Sequence, residues 1–547
     1  MEVEALKQTV FLTIASLGYL PQVRCLFESL RLHHPEARLV LCLTEEQVEA
    51  ELFDADEFEV VLARSVVGPG FYKMAFDYDI VELNTAVKPF AMQWLIDNGA
   101  RRVTYIDPDC FLFSRLEELT AAHEGGANIV LTPHATRPIS DNKKPGELDF
   151  LRAGTFNLGF VSVQASAVTS SFLEWWSERL RSFCQFDPIS GLFVDQKWVD
   201  LAPCFFDGVV VLRHAGYNVA YWNAFQRTIE RRAGGWQVDD VPLRFFHFSS
   251  VPQDDVSQIA RHQDRLDGDS IGPFFAEFQT YLARLASNAL TAREQTSYSY
   301  CLRWRGKPID CLALRAMLRR SGAAEAQSLS DFDSDELIAP LLKPHPELPV
   351  DEMFPISRLL YDAWLHAPLI AAQFPLFTAE GRAKFLYWVL DGGYRALQID
   401  NHLLPWRELT SPVPSAAGGK LAVPPIFWLV WLSDKRLRRA THLKDEAAYA
   451  NLLLELQKQV SAGDRPRWVL PSEYTAQTVV GEGDDAVNIA QYALWCTRKD
   501  LQSVFDLDSA QARHDFLTWC AGPSPLAECP WMAPLIASPQ VRQVTAS

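Results

Sequence analysis

Asp107 and Asp109 stand two residues apart around Pro108, directly after the apolar run 103–106. At this spacing both carboxylates reach one small hard cation, and the proline stiffens the turn between them. Mg²⁺ or Mn²⁺ held this way keeps coordination positions open for phosphate oxygens. The same three residues also suit a plain Asx-type turn that ends a strand. The preceding run is β-branched and aromatic with polar flanks, so it reads as a buried strand of a mixed or parallel sheet. The carboxyl end of such a strand is where open α/β sheets bind ligands.

The elements that must position this pair alternate in type. Residues 10–15 read as a strand. A helix follows with Pro21 in its first turn and Leu26, Phe27 and Leu30 on its apolar face. Residues 38–43 and 58–62 read as further strands, and 85–98 as a helix closed by Gly99. Strand, helix, strand over so short a span is a right-handed βαβ crossover. Beyond the acidic pair, strands are expected at 128–131, 156–163, 209–212, 217–222 and 243–248, with a loop over 137–152. The first part of the chain is therefore expected to be a nucleotide-type α/β domain continuing into a mixed α+β half.

From about Ser287 the pattern is expected to be helical without strands. Trp364 and Trp388 are 24 apart, as are Trp495 and Trp519, and one offset of 131 also superposes Phe374 on Phe505, Arg382 on Arg513, Phe385 on Phe516 and Leu386 on Leu517. A fainter copy places Trp431, Leu437 and Leu453 64 residues before Trp495, Leu501 and Leu517. Three units of roughly 65 residues, each a pair of amphipathic helices, are expected. The domain limits are expected at 1–285, a helical linker 286–345, and an all-α domain 346–547.

A chain of 547 residues exceeds one hydrophobic core. Its net charge of −17 disfavours nucleic acid as a partner. The ten cysteines contain no C-x-x-C pair, which suits free thiols in a reducing compartment and not a structural zinc. The acidic start lacks the pattern of a signal peptide, and the longest apolar run, 423–432, is far short of the ~20 residues that span a bilayer. A cytoplasmic protein, peripheral at most to the inner face of a membrane, is the expectation.

Four stretches carry a family resemblance: FLTIASLGYL; NTAVKPFAMQWL followed by VTYIDPDCFLF; AGTFNLGFVSV; and FVDQKW followed by LRFFHFSS. In order and spacing they resemble a retaining GT-A glycosyltransferase, similar to family eight, the glycogenin and bacterial galactosyltransferase type. The likeness covers about half the chain. It implies that Asp107, Asp109 and His247 bind Mn²⁺ or Mg²⁺, and that the donor is a nucleotide-diphospho-sugar, a UDP-sugar first. Tyr19 is implied to stack on the base, with Thr13, Ala15 and Ser16 along the nucleoside, although the family often carries an acid where Ser16 stands. Lys88 and Pro108 fall beside the diphosphate, and Gly154, Asn157 and Gly159 beside the donor sugar. Asp195 and Gln196 are implied to act at the anomeric carbon, either with Asp195 as a covalent nucleophile or with both steadying charge during front-face attack. Asp195 also reads as an N-cap for a helix from Gln196 to Leu201. Ser250 replaces a family glycine, and no lysine follows until Lys307; Arg261 and His262 are the nearest basic residues.

The resemblance implies sugar transfer to a glycan, lipid-linked or protein acceptor in bacterial cell-surface polysaccharide synthesis, with the helical repeats free to bind a protein partner. Two rivals stay open. A sugar-phosphate nucleotidyltransferase needs a Gly-rich loop after its first strand, and the stretch 16–20 has one glycine. A non-catalytic sugar-nucleotide-binding scaffold would not need the acidic pair and His247 intact.

Overall fold

A computed structural model describes residues 8–522 apart from 48–51, 54–57, 253–257, 291–297, 310, 323–325, 334, 349–353, 412–419, 422, 441–442, 444 and 471. The chain divides into two compact units, Met1–Pro308 with Leu318–Ser334, and Ile309–Met317 with Asp335–Ser547. The sequence-expected N-terminal residues 1–7 and the tail beyond 522 lie outside the described residues. No described helix is long and apolar enough to cross a membrane.

The first unit is α/β. Strands β1 (Thr9–Ala15), β2 (Arg38–Leu43), β3 (Glu59–Leu62) and β4 (Arg102–Ile106) run parallel. After β5 (Cys110–Leu112) come β6 (Ile129–Pro133) and β7 (Phe156–Gln164), and β7 is antiparallel to both β4 and β6. A short pair, β8 (Phe186–Asp187) and β9 (Leu192–Phe193), precedes β10 (Val209–Val211), which lies parallel to β6. The seven-stranded sheet thus has the order β10-β6-β7-β4-β1-β2-β3, mixed but dominated by parallel pairs. β1 is mostly apolar, with Thr9 and Thr13 the exceptions, and almost wholly buried, as suits a strand covered on both faces. Beyond the sheet, β11 (Ile229–Arg232), β12 (Gly235–Val238) and β13 (Val241–Pro242) form a small antiparallel ribbon, and β14 (Phe245–His247) pairs with β5.

Several expectations are corrected. The helix expected over 85–98 is two, Ile80–Ala86 and Lys88–Asp97, the first opened by a capping box between Asp79 and Glu82. Pro89 lacks an N–H, so it suits the first turn of the second helix and not the interior of a single one. The loop 137–152 ends in a helix, Glu147–Ala153, whose Asp149 accepts the Gly146 N–H. Residues 217–222 form no strand: Asn218 is left-handed at φ 47°, and only Val219 bridges to Phe246.

The stretch 286–345, expected as a helical linker, contains strands Leu302–Trp304 and Lys307–Ile309, and much of it belongs to the first unit. Ser299 donates to Glu45, Tyr300 packs edge-on against Phe71, and Phe332 packs against Phe76. These anchors carry the first unit past residue 285.

The second unit is helical with one short strand pair, Thr478–Val480 and Val487–Asn488, where no strand was expected. Its helices include three successive sets of three: Arg358–Leu365, Pro368–Gln373, Ala379–Trp388; Pro425–Ser433, Lys435–Ala440, Glu446–Ala462; and Ile489–Thr497, Lys499–Val504, Ala510–Ala521. Each set has a short middle helix where the pattern of apolar residues shows only a pair. Tyr361 and Trp364, Trp428 and Trp431, and Tyr492 and Trp495 form ring pairs at 5.5, 5.8 and 5.7 Å. The Trp364 indole donates to the Phe374 carbonyl and Trp495 to that of Phe505, both at 2.9 Å. Arg382 donates to the Leu376 carbonyl and Arg513 to that of Leu507, again both at 2.9 Å. The offset seen in the sequence is thus a shared set of side-chain-to-backbone bonds.

Candidate active site

The acidic pair sits where β4 ends. The Cys110 N–H closes the turn onto the Asp107 carbonyl at 3.1 Å, and the chain continues at once into β5. Because β5 pairs with β14, His247 comes opposite Cys110 in register. The His247 Nε2 then lies 2.9 Å from Asp109 and 3.7 Å from Asp107. Asp109, Cys110 and His247 offer ligand atoms within 4.8 Å of one another, a group able to hold a metal ion. Asp107 stands just outside this closest trio. The His247 side chain is buried, whereas the two carboxylates remain partly open to solvent.

The remaining imidazole nitrogen is fixed by its neighbours. The Asn218 side-chain oxygen is 3.2 Å from His247 Nδ1, and its amide donates to Thr132 and to Asn157, both at 2.9 Å. With Nδ1 engaged, Nε2 is the nitrogen left to face the carboxylates, as metal-binding histidines require. Burial pulls the imidazole pKa down, yet Cys110 and Asp109 outweigh it and hold His247 above its ordinary range. Two carboxylates and one imidazole are a donor set able to hold a divalent cation.

Lys88 is the other centre of charge. Helix Lys88–Asp97 packs against the central strands β4 and β1, and its first side chain is buried. Lys88 Nζ makes a 2.8 Å ion pair with Asp195, lies 3.9 Å from Asp107, and donates to the Leu158 carbonyl at 2.9 Å. Burial alone would depress the ammonium; Asp195 and then Asp107 outweigh it and keep it above the ordinary lysine value. Burial also raises the Asp195 carboxyl above its ordinary range, and Lys88 opposes that rise. The Lys88 ammonium also lies over the Tyr105 ring, whose hydroxyl donates to Asp107.

Asp195 stands at the N-cap position of helix Gln196–Val199 but makes no capping bond, so the N-cap reading is corrected: its carboxylate turns to Lys88. The helix also ends at Val199, short of Leu201. Val194 just before it holds φ 43°, a strained conformation for a β-branched residue. Gln196 ties the neighbouring loop by donating to the Ala153 carbonyl at 3.0 Å, with its oxygen 3.5 Å from the Leu158 N–H.

Of the three residues expected beside a sugar, Asn157 and Gly159 adjoin His247 and Asp107, and Gly154 lies against Gln196, Lys197 and Asp200. Gly154 has φ 126°, which excludes an ordinary side chain. A Cβ on Gly159 would stand 2.5 Å from the His247 ring, 2.8 Å from Asn157 Oδ1 and 2.8 Å from Asp107 Oδ2. Only glycine lets β7 pass so close to these groups, and its carbonyl accepts the Asp107 N–H at 2.9 Å. Asn157 is buried and bonded to Asn218, with its amide 3.3 Å from His134.

At the end of β1, Thr13, Ala15 and Ser16 are buried, and Tyr19 is half exposed. Burial, then Asp109 and Asp107, raise the Tyr19 pKa, so its hydroxyl lies in the field of the acidic pair. Pro108 is part-exposed between the two aspartates. Ser250 adopts φ 58°, so serine keeps a backbone shape that glycine takes more readily. Arg261 and His262 are exposed, and the adjoining 253–257 lie outside the described residues.

Sequence reasoning missed Asn218, Tyr105, Cys110, His134 and Trp222. Trp222 meets the His247 ring edge-on at 5.1 Å, and His134 stacks on Phe150 at 5.2 Å. An asparagine after His-Ala-Gly-Tyr is a left-handed candidate, and that signal against a strand was available.

No family profile matches the chain. A curated protein of Bacillus subtilis (strain 168), the uncharacterized protein YfnD, is 25% identical over 245 residues, covering 44% of this chain and 76% of its own length. Among solved structures, the galactosyltransferase LgtC in complex with donor and acceptor sugar analogs is similar over 52% of this chain and 98% of its own, at 14% identity and TM-score 0.32. Mouse xyloside xylosyltransferase 1 covers 44% of this chain and 97% of its own, at 13% identity and TM-score 0.28. The glycosyltransferase GlyE of Streptococcus pneumoniae TIGR4 covers 51% of this chain and 62% of its own, at 15% identity and TM-score 0.30.

Proposed function

We propose that the first unit is a metal-dependent GT-A glycosyltransferase similar to family eight. It would move a sugar from a nucleotide diphosphate donor, a UDP-sugar first, to a glycan, lipid-linked or protein acceptor with retention. The observation that carries this reading is the meeting of Asp107, Asp109 and His247 with the buried Lys88–Asp195 ion pair at strand ends. A buried pair of charges is a poor source of stability, and well-packed apolar residues would serve packing as well or better. Its place beside a carboxylate and imidazole cluster favours chemistry.

Asp107, Asp109 and His247 would hold Mn²⁺ or Mg²⁺, which would supply positive charge to offset the charge developing on the departing diphosphate. Tyr19 covers the base at the open rim, and Gly154, Asn157 and Gly159 let the backbone approach the donor sugar. Asp195 faces the anomeric carbon with Gln196 beside it. Because Lys88 already engages the Asp195 carboxylate, Asp195 is a weak nucleophile, and this favours front-face attack. The anomeric carbon–oxygen bond to the diphosphate breaks, the acceptor hydroxyl bonds on the same face, and its proton passes to the departing phosphate oxygen. Cell-surface polysaccharide synthesis in the cytoplasm, at the inner face of the membrane, is the setting this reading implies.

The test is a panel of nucleotide sugars incubated with the full chain and Mn²⁺, scored for release of nucleoside diphosphate. Turnover with one donor, lost on chelation and in Asp109→Ala, is expected. Donor binding without turnover would favour the scaffold reading, and release of pyrophosphate from a nucleoside triphosphate the nucleotidyltransferase reading.

A further inference from the structure

The three helix sets of the second unit share their frame but differ in what their short middle segments show to solvent. In the first set, the stretch His366–Phe377 contains no Asp, Glu, Lys or Arg. Its side chains are not turned inward: Leu369 is 83% exposed, Phe377 59%, and Leu365 just before it 53%. At the matching place in the second set stands helix Lys435–Ala440, KRLRRA, with four basic residues in six. Lys435, Arg436 and Arg439 are exposed, and none has an ion pair among the described residues. The third set shows a mixed segment, Lys499–Val504. Packing requirements common to the three sets cannot account for an apolar segment in one and a basic segment in the next.

The two unusual segments are neighbours. Arg438 of the basic helix donates to Glu380 at 3.1 Å, and Glu380 lies three residues after Phe377. Of the nearby acids, Glu380 is engaged by Lys384 and Arg438 and Asp434 by Arg465, while Glu455 and Asp464 share a cleft with Arg436. This part of the unit thus carries protruding apolar side chains and three exposed cations without an ion pair among the described residues, on a chain whose net charge is −17.

We propose that this edge docks on an anionic lipid bilayer, with Leu365, Leu369 and Phe377 entering the interface and Lys435, Arg436 and Arg439 meeting lipid phosphates. Charge complementarity selects this occupant. A water-exposed leucine and phenylalanine are stabilised by entering an acyl boundary, and basic residues beside them add attraction to an anionic surface. Either signal alone gives marginal, reversible attachment; the two together give stable anchoring. The negative charge of the rest of the chain acts weakly here, because charges more than ~8–10 Å away are screened at physiological salt. The inference is independent of the transfer reaction, since no residue of the first unit takes part.

The experiment is flotation of the full chain with vesicles of phosphatidylcholine alone and with added phosphatidylglycerol. Binding to the anionic vesicles, at least 10-fold weaker on neutral ones and lost in high salt, is expected. A Lys435→Glu/Arg436→Glu/Arg439→Glu variant should lose it, and Leu369→Ser/Phe377→Ser should weaken it by about 10-fold, while both keep the thermal transition of the parent chain. Salt-insensitive binding, equal binding to neutral vesicles, or binding unchanged by the charge reversals would overturn the proposal. So would retention by a soluble acidic polysaccharide with no vesicle binding, which would assign the cations to a glycan.

Discussion

The two units bury polar side chains for different purposes. In the second, Arg382 donates to the Leu376 carbonyl and Gln491 accepts the Asn488 N–H, so these two buried polar groups satisfy nearby backbone, while Gln457 donates to Ser461 one helical turn on. In the first, Lys88, Asp195, Asp109 and His247 are drawn from separate elements and face one another across strand ends. Backbone service explains a polar residue in a helical frame. Charges assembled from distant parts of the chain carry a desolvation cost that local structure does not return. That contrast separates a scaffold from a site without reference to any ligand.

The largest effect should come from breaking the buried ion pair on one side. Lys88→Met leaves Asp195 charged and unpaired in the interior, a change expected to cost about 3–5 kcal/mol. Thermal or denaturant unfolding of the full chain should show it. The Lys88→Met/Asp195→Leu double variant should recover most of that stability, because a packed apolar pair avoids the desolvation cost. Transfer should stay at least ~10²-fold down in both, since the electrostatic contact is gone. Recovery of activity together with stability would reduce the pair to packing and erase the contrast between the units.

A smaller and graded effect is expected with pH. Burial, then Arg115, lower the His34 pKa to about 4, and its Nε2 accepts the Leu116 N–H, which only a neutral ring can do. Burial likewise lowers His134 to about 4. Between that value and the unfolded value near 6.5, the unfolded chain binds more protons, so stability rises with pH there and falls on acidification. The loss is complete only below about pH 4 and approaches 3 kcal/mol per group as an upper figure. No described histidine of the second unit is buried. Unfolding followed between pH 7 and 4 should therefore weaken the first unit's transition most. His34→Gln should flatten part of that slope.

Much of this arrangement was legible in the chain. The strands at 9–15, 38–43 and 102–106 announce themselves because a doubly covered strand is largely apolar, interrupted here only by threonines and by a leading Arg38 or Arg102. Asp107, Asp109 and His247 were found through motif order, and β5–β14 register explains why residues so far apart in sequence meet. What stayed hidden depends on tertiary partners. Lys88 at the start of a helix has no sequence mark of burial, and its neighbour Pro89 hid a helix boundary inside one apparent helix. Asp195 reads locally as a cap, and only the Lys88 ammonium at 2.8 Å redirects it. Asn218 lay in a stretch with strand composition, and its left-handed turn overrode that propensity. In the helical unit the tryptophan spacing was visible, but the short middle helices were too brief for a periodic signal.

The smallest effect tests the frame of the second unit. Trp364 and Trp495 occupy matching places, and each indole N–H bonds a carbonyl ten residues on, at 2.9 Å in both cases. Both side chains are part-buried. Phenylalanine at either position keeps an aromatic surface and removes the donor, so about 1 kcal/mol should be lost, the usual net worth of one such bond. If the sets are true equivalents, Trp364→Phe and Trp495→Phe should lower stability by similar amounts. The two indoles share no hydrogen-bond partner, and their effects are expected to add in the double variant. Neither should change donor turnover, because the carbonyls they serve belong to helix connections and not to the strand-end site. A Trp364→Phe chain that loses turnover with its fold intact would mean that the helical frame takes part in the chemistry, and the division of labour between the units would have to be abandoned.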